Sequence, residues 1–294
     1  MKRFAGIVTL AVLNVVPFSY SAAQAVPAIQ ALRAMAPGYA FEMQLPEASA
    51  PASSVRMAES LSGEQLFQYL HEATAPSATR GVPSYKAAKA YMYSKADNTR
   101  CNGSAGILTF YSQVCVNGTS DNGEDYKEKG DLNKDGVVDT FVNAEHIWPQ
   151  SYFKSALPMV SDLHHLQSTF ATPNGRRGNL KFCKVTGATY STASGSKLGK
   201  SCFEPADAVK GNVARSLFYF IVRYNDKNIK QGMDYNAFWT KNVPMLLEWN
   251  RMDPPDANEK SRNDLIESFQ GNRNPFVDDP QLAERIGEVV FEAH

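Results

Sequence analysis

The sequence predicts an α+β fold, mainly helical, with loops stapled by disulfides, and three observations lead there. Helical periodicity dominates the segments near residues 60–97 and the C-terminal third; short β-branched and aromatic runs punctuate the middle; four cysteines fall in Gly/Ser/Asn-rich stretches. With 294 residues, 43% of them hydrophobic and 11% aromatic, there is apolar material for one large domain or two small ones.

At the N-terminus Lys2 and Arg3 precede FAGIVTLAVLNVVPF, and SAAQA then offers small residues at Ala23 and Ala25. This reads as a signal peptide over residues 1–25, so the protein is expected to be exported, periplasmic or secreted. The apolar run is too short to span a membrane and nothing later is apolar for long enough, so no membrane anchor is expected. Residues 26–58, rich in Ala, Pro and Ser, read as a propeptide or flexible leader, which leaves 59–294 as the folded domain.

Within that domain Leu61, Ser62, Gln65 and Leu66 predict a capping box with a hydrophobic staple, and Leu66, Phe67 and Leu70 a buried helical stripe, with His71 a packing residue. SYKAAKAYMYSKA reads as a second helix and ILTFYSQVCV as a strand. SDLHHLQS alternates like a short strand; in ATPNGRRGN, Thr172 is the expected N-cap and Pro173 the first helical residue, which puts Asn174 and Arg177 on one face. VARSLFYFIVRYN and FWTKNVPMLLEWN look like core helices, the second interrupted at Pro244, and the tail from QGNRNPF ends in a short helix.

An even cysteine count in an exported chain makes disulfides the default for Cys101, Cys115, Cys183 and Cys202. Of the three pairings, Cys101 with Cys115 and Cys183 with Cys202 is favoured, because each then closes one loop. The rival reading, zinc, lacks CxxC spacing and nearby histidines. Formal net charge is zero, and without Lys2 and Arg3 there are 28 basic against 30 acidic side chains, so global charge points to no nucleic-acid partner. Its distribution does: Arg176, Arg177, Lys181, Lys184, Lys197 and Lys200 share one acid-free stretch.

The chemistry concentrates in NAEHIWPQSYF, residues 143–153. A lone Glu-His pair is most often a surface dipeptide, but at a strand end Glu145 can hold a hard cation while His146 faces a water. A hairpin leading into the next helix would add Asn174, giving one neutral imidazole and two oxygen ligands, a set suited to metal-assisted hydrolysis of a phosphodiester.

EHIWPQS, DLHHL and NGRRGN, in this order and spacing, resemble the endonuclease I family of bacterial periplasmic and secreted nucleases, which belongs to the ββα-metal (His-Me finger, HNH-like) superfamily. SYKAAKAYMYSKAD, the TFYS segment and LLEWNRMDPPDANEKSRNDLIESFQGNRNPFVD extend the likeness over roughly residues 60–290. The resemblance implies a central ββα-metal finger in a helical domain. It makes His146 the general base, Glu145 and Asn174 ligands of a single Mg²⁺, and Arg177 a phosphate or transition-state contact. It gives Asp162 and His165 a bracing role behind the base, and Arg176, Lys154 and Lys181 contacts with substrate phosphates. The implied activity is sugar-nonspecific cleavage of DNA to 5′-phosphate ends by a monomer, with RNA left open as a second substrate. Some relatives carry an arginine between the two strands where this chain offers only Lys154, so the cation at the transition state is left open among Arg177, Arg176 and Lys154.

DLNKDGVVD places Asp131, Asn133, Asp135 and Asp139 at positions one, three, five and nine of a calcium-loop pattern, with Gly136 at the turn but Val142 where a bidentate Glu belongs. A weak structural Ca²⁺ site is the expectation there, a solvated Asx-rich turn the alternative. The loop also suggests a different class of function, a non-enzymatic calcium-dependent binding module, although only one copy is present. A metalloprotease would need HExxH, which is absent.

Overall fold

The computed structural model describes residues 60–75 and 81–294, so the expected signal peptide and leader lie outside the described residues. Helix α1, Gly63–Ala73, buries Leu66, Phe67 and Leu70 as the stripe predicts. Ser62 sits at its N-cap in extended backbone, but its side chain makes no cap hydrogen bond, so the capping box does not form and packing holds the helix instead. Helix α2, Tyr85–Tyr91, is capped by the Ser84 hydroxyl, which accepts the Ala87 N–H at 3.2 Å; a wider π-type turn over Met92–Ala96 continues it.

Three short strands follow, β1 (Asn98–Cys101), β2 (Ser104–Leu108) and β3 (Cys115–Asn117), antiparallel in the order β1-β2-β3. The single strand expected over ILTFYSQVCV is therefore two strands and a turn. Gln113 takes a left-handed φ of 53° and donates its N–H to Thr109 O at 2.7 Å, folding the chain back. The turn buries Phe110 and Tyr111, and the Cys101–Cys115 disulfide fastens β1 to β3.

Strands β4 (Val142–His146) and β5 (Leu166–Phe170) form an antiparallel pair with Glu145 opposite Gln167 and His146 opposite Leu166. Gly123 packs on the start of β4, where a Cβ would lie 2.1 Å from Val142 O, so only glycine fits. The strand expected over SDLHHLQS begins only at Leu166, because Leu163–His165 make a tight 3₁₀ turn whose first N–H groups are met by Asp162 and Gln270. Helix α3, Ala171–Arg177, leaves β5 directly. Its cap is not Thr172: Asp139 Oδ1 accepts the Thr172 N–H at 2.8 Å from across the loop.

A small sheet of β6 (Lys181–Phe182), β7 (Tyr190–Ser191), β8 (Lys197–Leu198) and β9 (Cys202–Glu204) comes next, ordered β6-β9-β8-β7 and tied by Cys183–Cys202. Both disulfides are the nearest-neighbour pairs, and there is no free cysteine for a zinc site. Helix α4, Lys210–Tyr224, is buried at every residue but Asn212, and its buried Lys210 and Arg215 are paired with Glu204 and Glu259. Helix α5 is Tyr235–Phe238, and α6, Val243–Met252, begins one residue before Pro244. That proline starts a helix and does not interrupt one, because a first-turn N–H has no partner to lose. Helices α7 (Ala257–Gln270), α8 (Pro275–Asp278), α9 (Gln281–Ile286) and α10 (Glu288–Ala293) close the chain.

The apolar side chains fall into two clusters. The larger surrounds α4 and includes Ile147, Trp148, Trp239 and Trp249; the smaller joins Met92, Ile107, Val142, Leu166, Phe170 and Ile266. Both ends of β5 and the start of β4 belong to the smaller cluster, while Ile147 and Trp148, just past the end of β4, belong to the larger. No helix among the described residues is long and apolar enough to cross a membrane.

Candidate active site

Strand alternation sends Asn143 and Glu145 to one side of β4 and His146 to the other. Glu145 is 3% exposed, and its Oε1 accepts the Tyr111 hydroxyl at 2.7 Å and Arg177 Nη1 at 2.7 Å. Arg177 is fully buried; the same Nη1 donates to His146 O at 2.8 Å and Nη2 to Ile147 O at 2.7 Å, while the guanidinium lies 4.6 Å from the Phe182 ring centroid. Burial raises the Glu145 carboxyl above its ordinary value, and the Arg177 charge and the Tyr111 hydrogen bond oppose that rise. Both of these side-chain bonds end on Oε1 and neither on Oε2.

Asn174, on α3, turns its amide nitrogen to the strand, donating to Asn143 Oδ1 at 2.7 Å and to Ala144 O at 3.4 Å. Its Oδ1 therefore points away from the strand as an acceptor. One carboxylate oxygen and one amide oxygen on adjacent elements suit Mg²⁺, which binds through one or two protein oxygens and keeps several waters. Thiolate and imidazole, the ligands of softer metals, are absent from this pair.

His146 is 4% exposed, and its Nε2 lies 3.0 Å from Val160 O. A carbonyl only accepts, so Nε2 carries the hydrogen and Nδ1 holds the lone pair. Burial pushes the imidazole down to about 3, helped by the nearby His165, Arg177 and Lys89, and the backbone bond to Val160 opposes. Around the ring stand His165 at 5.3 Å, Tyr85 at 5.5 Å and Phe153 at 6.1 Å between centroids.

Asp162 and His165 hold the segment that presents Val160. His165 Nε2 donates to Met159 O at 2.7 Å; Asp162 Oδ2 accepts Tyr219 and Tyr224 hydroxyls at 2.8 and 2.7 Å, and Oδ1 accepts Gln270 Nε2 at 2.8 Å. Burial alone would raise the Asp162 carboxyl, but His164, His165 and these hydrogen bonds hold it below its usual value. Burial takes His165 down to about 4. His164 points elsewhere, donating from Nε2 to Asn272 O at 2.9 Å.

The remaining sequence candidates scatter. Arg176 is exposed and lies 5.5 Å from the Tyr190 ring centroid, Lys181 is half-buried on β6, and exposed Lys154 ends a 3₁₀ turn with φ 52°. In the 131–139 loop, Asp131 accepts the N–H groups of Asp135 and Gly136, and Asp135 accepts Val137 N–H, Asn133 Nδ2 and the Tyr190 hydroxyl. Asn133 N–H and Asp139 N–H both go to Glu128, and Asp139 Oδ2 is buried without a hydrogen bond among the described residues. These carboxylates already serve as turn and cap acceptors. Among the described residues no group of three or more His, Cys, Asp or Glu is placed to hold a metal ion.

Sequence reasoning missed Tyr111, Tyr85 and Lys89. Tyr111 reaches Glu145 only through the turn that replaces the expected strand. Tyr85 and Lys89 carry a local signal, their i,i+4 spacing on α2, but nothing local says that this face meets His146.

The family model for Endonuclease I matches residues 64–281. The chain is 40% identical over 155 residues to an extracellular ribonuclease of Bacillus amyloliquefaciens, covering 49% of this chain and 53% of that protein. It is 31% identical over 122 residues to Endonuclease-1 of Buchnera aphidicola subsp. Baizongia pistaciae, covering 40% and 46%. To an extracellular deoxyribonuclease of Aeromonas hydrophila it is 28% identical over 124 residues, covering 41% and 50%. The chain thus spans about half the length of the curated relatives it matches.

Proposed function

The chain belongs to the endonuclease I family, and from that premise we propose that it is an exported, sugar-nonspecific nuclease that hydrolyses DNA and RNA phosphodiesters with one Mg²⁺ and His146 as general base. The observation that carries the reading is the pairing of a proton-free His146 Nδ1 with a neighbouring carboxylate that a buried arginine favours in its ionised form. Relatives named ribonuclease and deoxyribonuclease both support a site that ignores the sugar. Two disulfides and the extracellular names of those relatives support export.

Glu145 Oε2 and Asn174 Oδ1 would hold the metal, which when bound supplies positive charge to the scissile phosphate and its leaving oxygen. His146 Nδ1 takes a proton from the attacking water as the new P–O bond forms and the bond to the 3′ oxygen breaks; that oxygen leaves with the bonding electrons and takes a proton from solvent, giving a 3′-hydroxyl and a 5′-phosphate. The low proton affinity of the free imidazole keeps it neutral at working pH, and the arriving phosphate charge raises that affinity when the proton must move. Arg177 acts from behind as a positioning residue on Glu145 and on the His146 and Ile147 carbonyls. Arg176, Lys181 and Lys154 are proposed to grip backbone phosphates without reading sequence.

Digestion of plasmid DNA and of RNA by wild type and His146→Ala, with Mg²⁺ and with EDTA, tests the proposal. Cleavage should require Mg²⁺ and fall by at least about a hundredfold in the variant. Undiminished activity of His146→Ala, or of wild type in EDTA, overturns it.

A further inference from the structure

Arg177 cannot reach a substrate phosphate without giving up Glu145, because it is fully buried and both terminal nitrogens are bonded inward. The side of His146 away from Glu145 is covered by a different element, α2. There Tyr85 and Lys89 stand one turn apart, both half-buried; the Lys89 ammonium lies 4.8 Å from the Tyr85 ring centroid, and that ring lies 5.5 Å from the His146 ring. Lys89 makes no ion pair or hydrogen bond among the described residues, unlike Lys184 and Lys210, each held by a carboxylate at 2.8 and 2.7 Å.

An ammonium held over an aromatic ring by a half-buried side chain, with no carboxylate partner among the described residues, can take up an anion. Its position is firm. Ser84 caps α2, buried Ala88 and, just past the helix, Met92 lie on the same face as Tyr85 and Lys89 and anchor it, and the helix packs on the Met159–Ser161 turn that presents Val160 O to His146.

We infer that Lys89 is a substrate contact, its ammonium binding a non-bridging oxygen of the nucleic-acid backbone phosphate on the His146 side, with the Tyr85 ring holding it in place beforehand. The inference rests on the nuclease reading above and adds a phosphate-binding cation on the His146 face, where that reading places none.

The test uses the full chain as wild type, Lys89→Met and Lys89→Arg, with Arg176→Ala for comparison and thermal unfolding to show that each variant is folded. Duplex DNA binding is measured without Mg²⁺ as a function of salt, and kcat and KM with Mg²⁺. Lys89→Met should reduce the salt-dependence slope by roughly 0.9, weaken binding equally across sequences, and lower kcat/KM by on the order of tenfold or more. Lys89→Arg should retain the slope and most of the activity, since it keeps the charge. A folded Lys89→Met with the wild-type slope and wild-type kcat/KM overturns the inference and leaves the nuclease reading intact. A wild-type chain that neither binds nor cuts DNA or RNA overturns both.

Discussion

Replacing Arg177 with methionine separates a positioning arginine from a phosphate-binding one. The guanidinium makes bonds of 2.7 Å to Glu145 Oε1, 2.8 Å to His146 O and 2.7 Å to Ile147 O, in a place where its side chain is 1% exposed. Removing one member of a buried ion pair strands the other and costs about 3–5 kcal/mol. At roughly 2–4 °C per kcal/mol for a chain of this size, the midpoint of thermal unfolding should fall by about 10 °C. Arg176→Ala, one residue away but exposed, should stay within about 0.5 kcal/mol and show its effect in nucleic-acid binding. Urea unfolding followed by circular dichroism, with plasmid cleavage on the same preparations, reads both. The double variant Glu145→Leu/Arg177→Met should recover part of the lost stability, because no charge is left stranded, yet remain inactive for want of the metal ligand. The reasoning fails if Arg177→Met unfolds within about 1 kcal/mol of wild type, or if it weakens DNA binding while Mg²⁺ dependence and stability are untouched.

Other outcomes follow from the same contacts. Asn143→Ala frees the Asn174 amide to rotate, so the Mg²⁺ concentration for half-maximal cleavage should rise roughly tenfold with little change in fold stability; an unchanged Mg²⁺ requirement counts against Asn174 as a ligand. His165 sits at about 4 in the folded protein against about 6.5 unfolded, so the unfolded chain binds the extra proton and stability is lost as pH falls from 6.5 towards 4. His165→Leu should therefore lose about 2–3 kcal/mol less than wild type between pH 7 and pH 4.5 in urea titrations, and equal losses would contradict the assigned burial effect. Asp139→Leu removes the cap on the Thr172 N–H and should cost about 1–2 kcal/mol, whereas Asp139→Asn keeps an acceptor and should cost less; a reversed order would mean that the charge itself matters.

Local signals carried much of this arrangement in the sequence. The stripe of α1, the aromatic-rich core of α4 and the loop-closing cysteine pairs needed no knowledge of distant partners, and the hairpin expected between the Glu145–His146 strand and the helix of Asn174 put these residues on neighbouring elements. What the sequence hid depends on contacts far along the chain. Thr172 looks like a cap until Asp139 supplies one from another loop, and Tyr111 looks like a strand residue until the turn at Gln113 sends it to Glu145. Arg177 shares a helix face with Asn174, yet periodicity cannot say that this face looks inward at the end of β4.

That inward turn explains how adjacent residues can hold opposite tasks. On a strand, Glu145 and His146 point to opposite faces, and each is served by its own network. Tyr111 and Arg177 belong to the Glu145 side, next to Phe182 of the small sheet. Val160, His165 and Asp162 belong to the His146 side and lead through Tyr219 and Tyr224 into α4 and through Gln270 to α7. The two meet at the backbone: Arg177 grips the carbonyls of His146 and Ile147, where β4 ends and the strand no longer enforces alternation. Perturbing the Glu145 network should therefore move metal affinity first and perturbing the His146 network the rate of proton transfer. Arg177 is the residue at which the two effects cannot be separated.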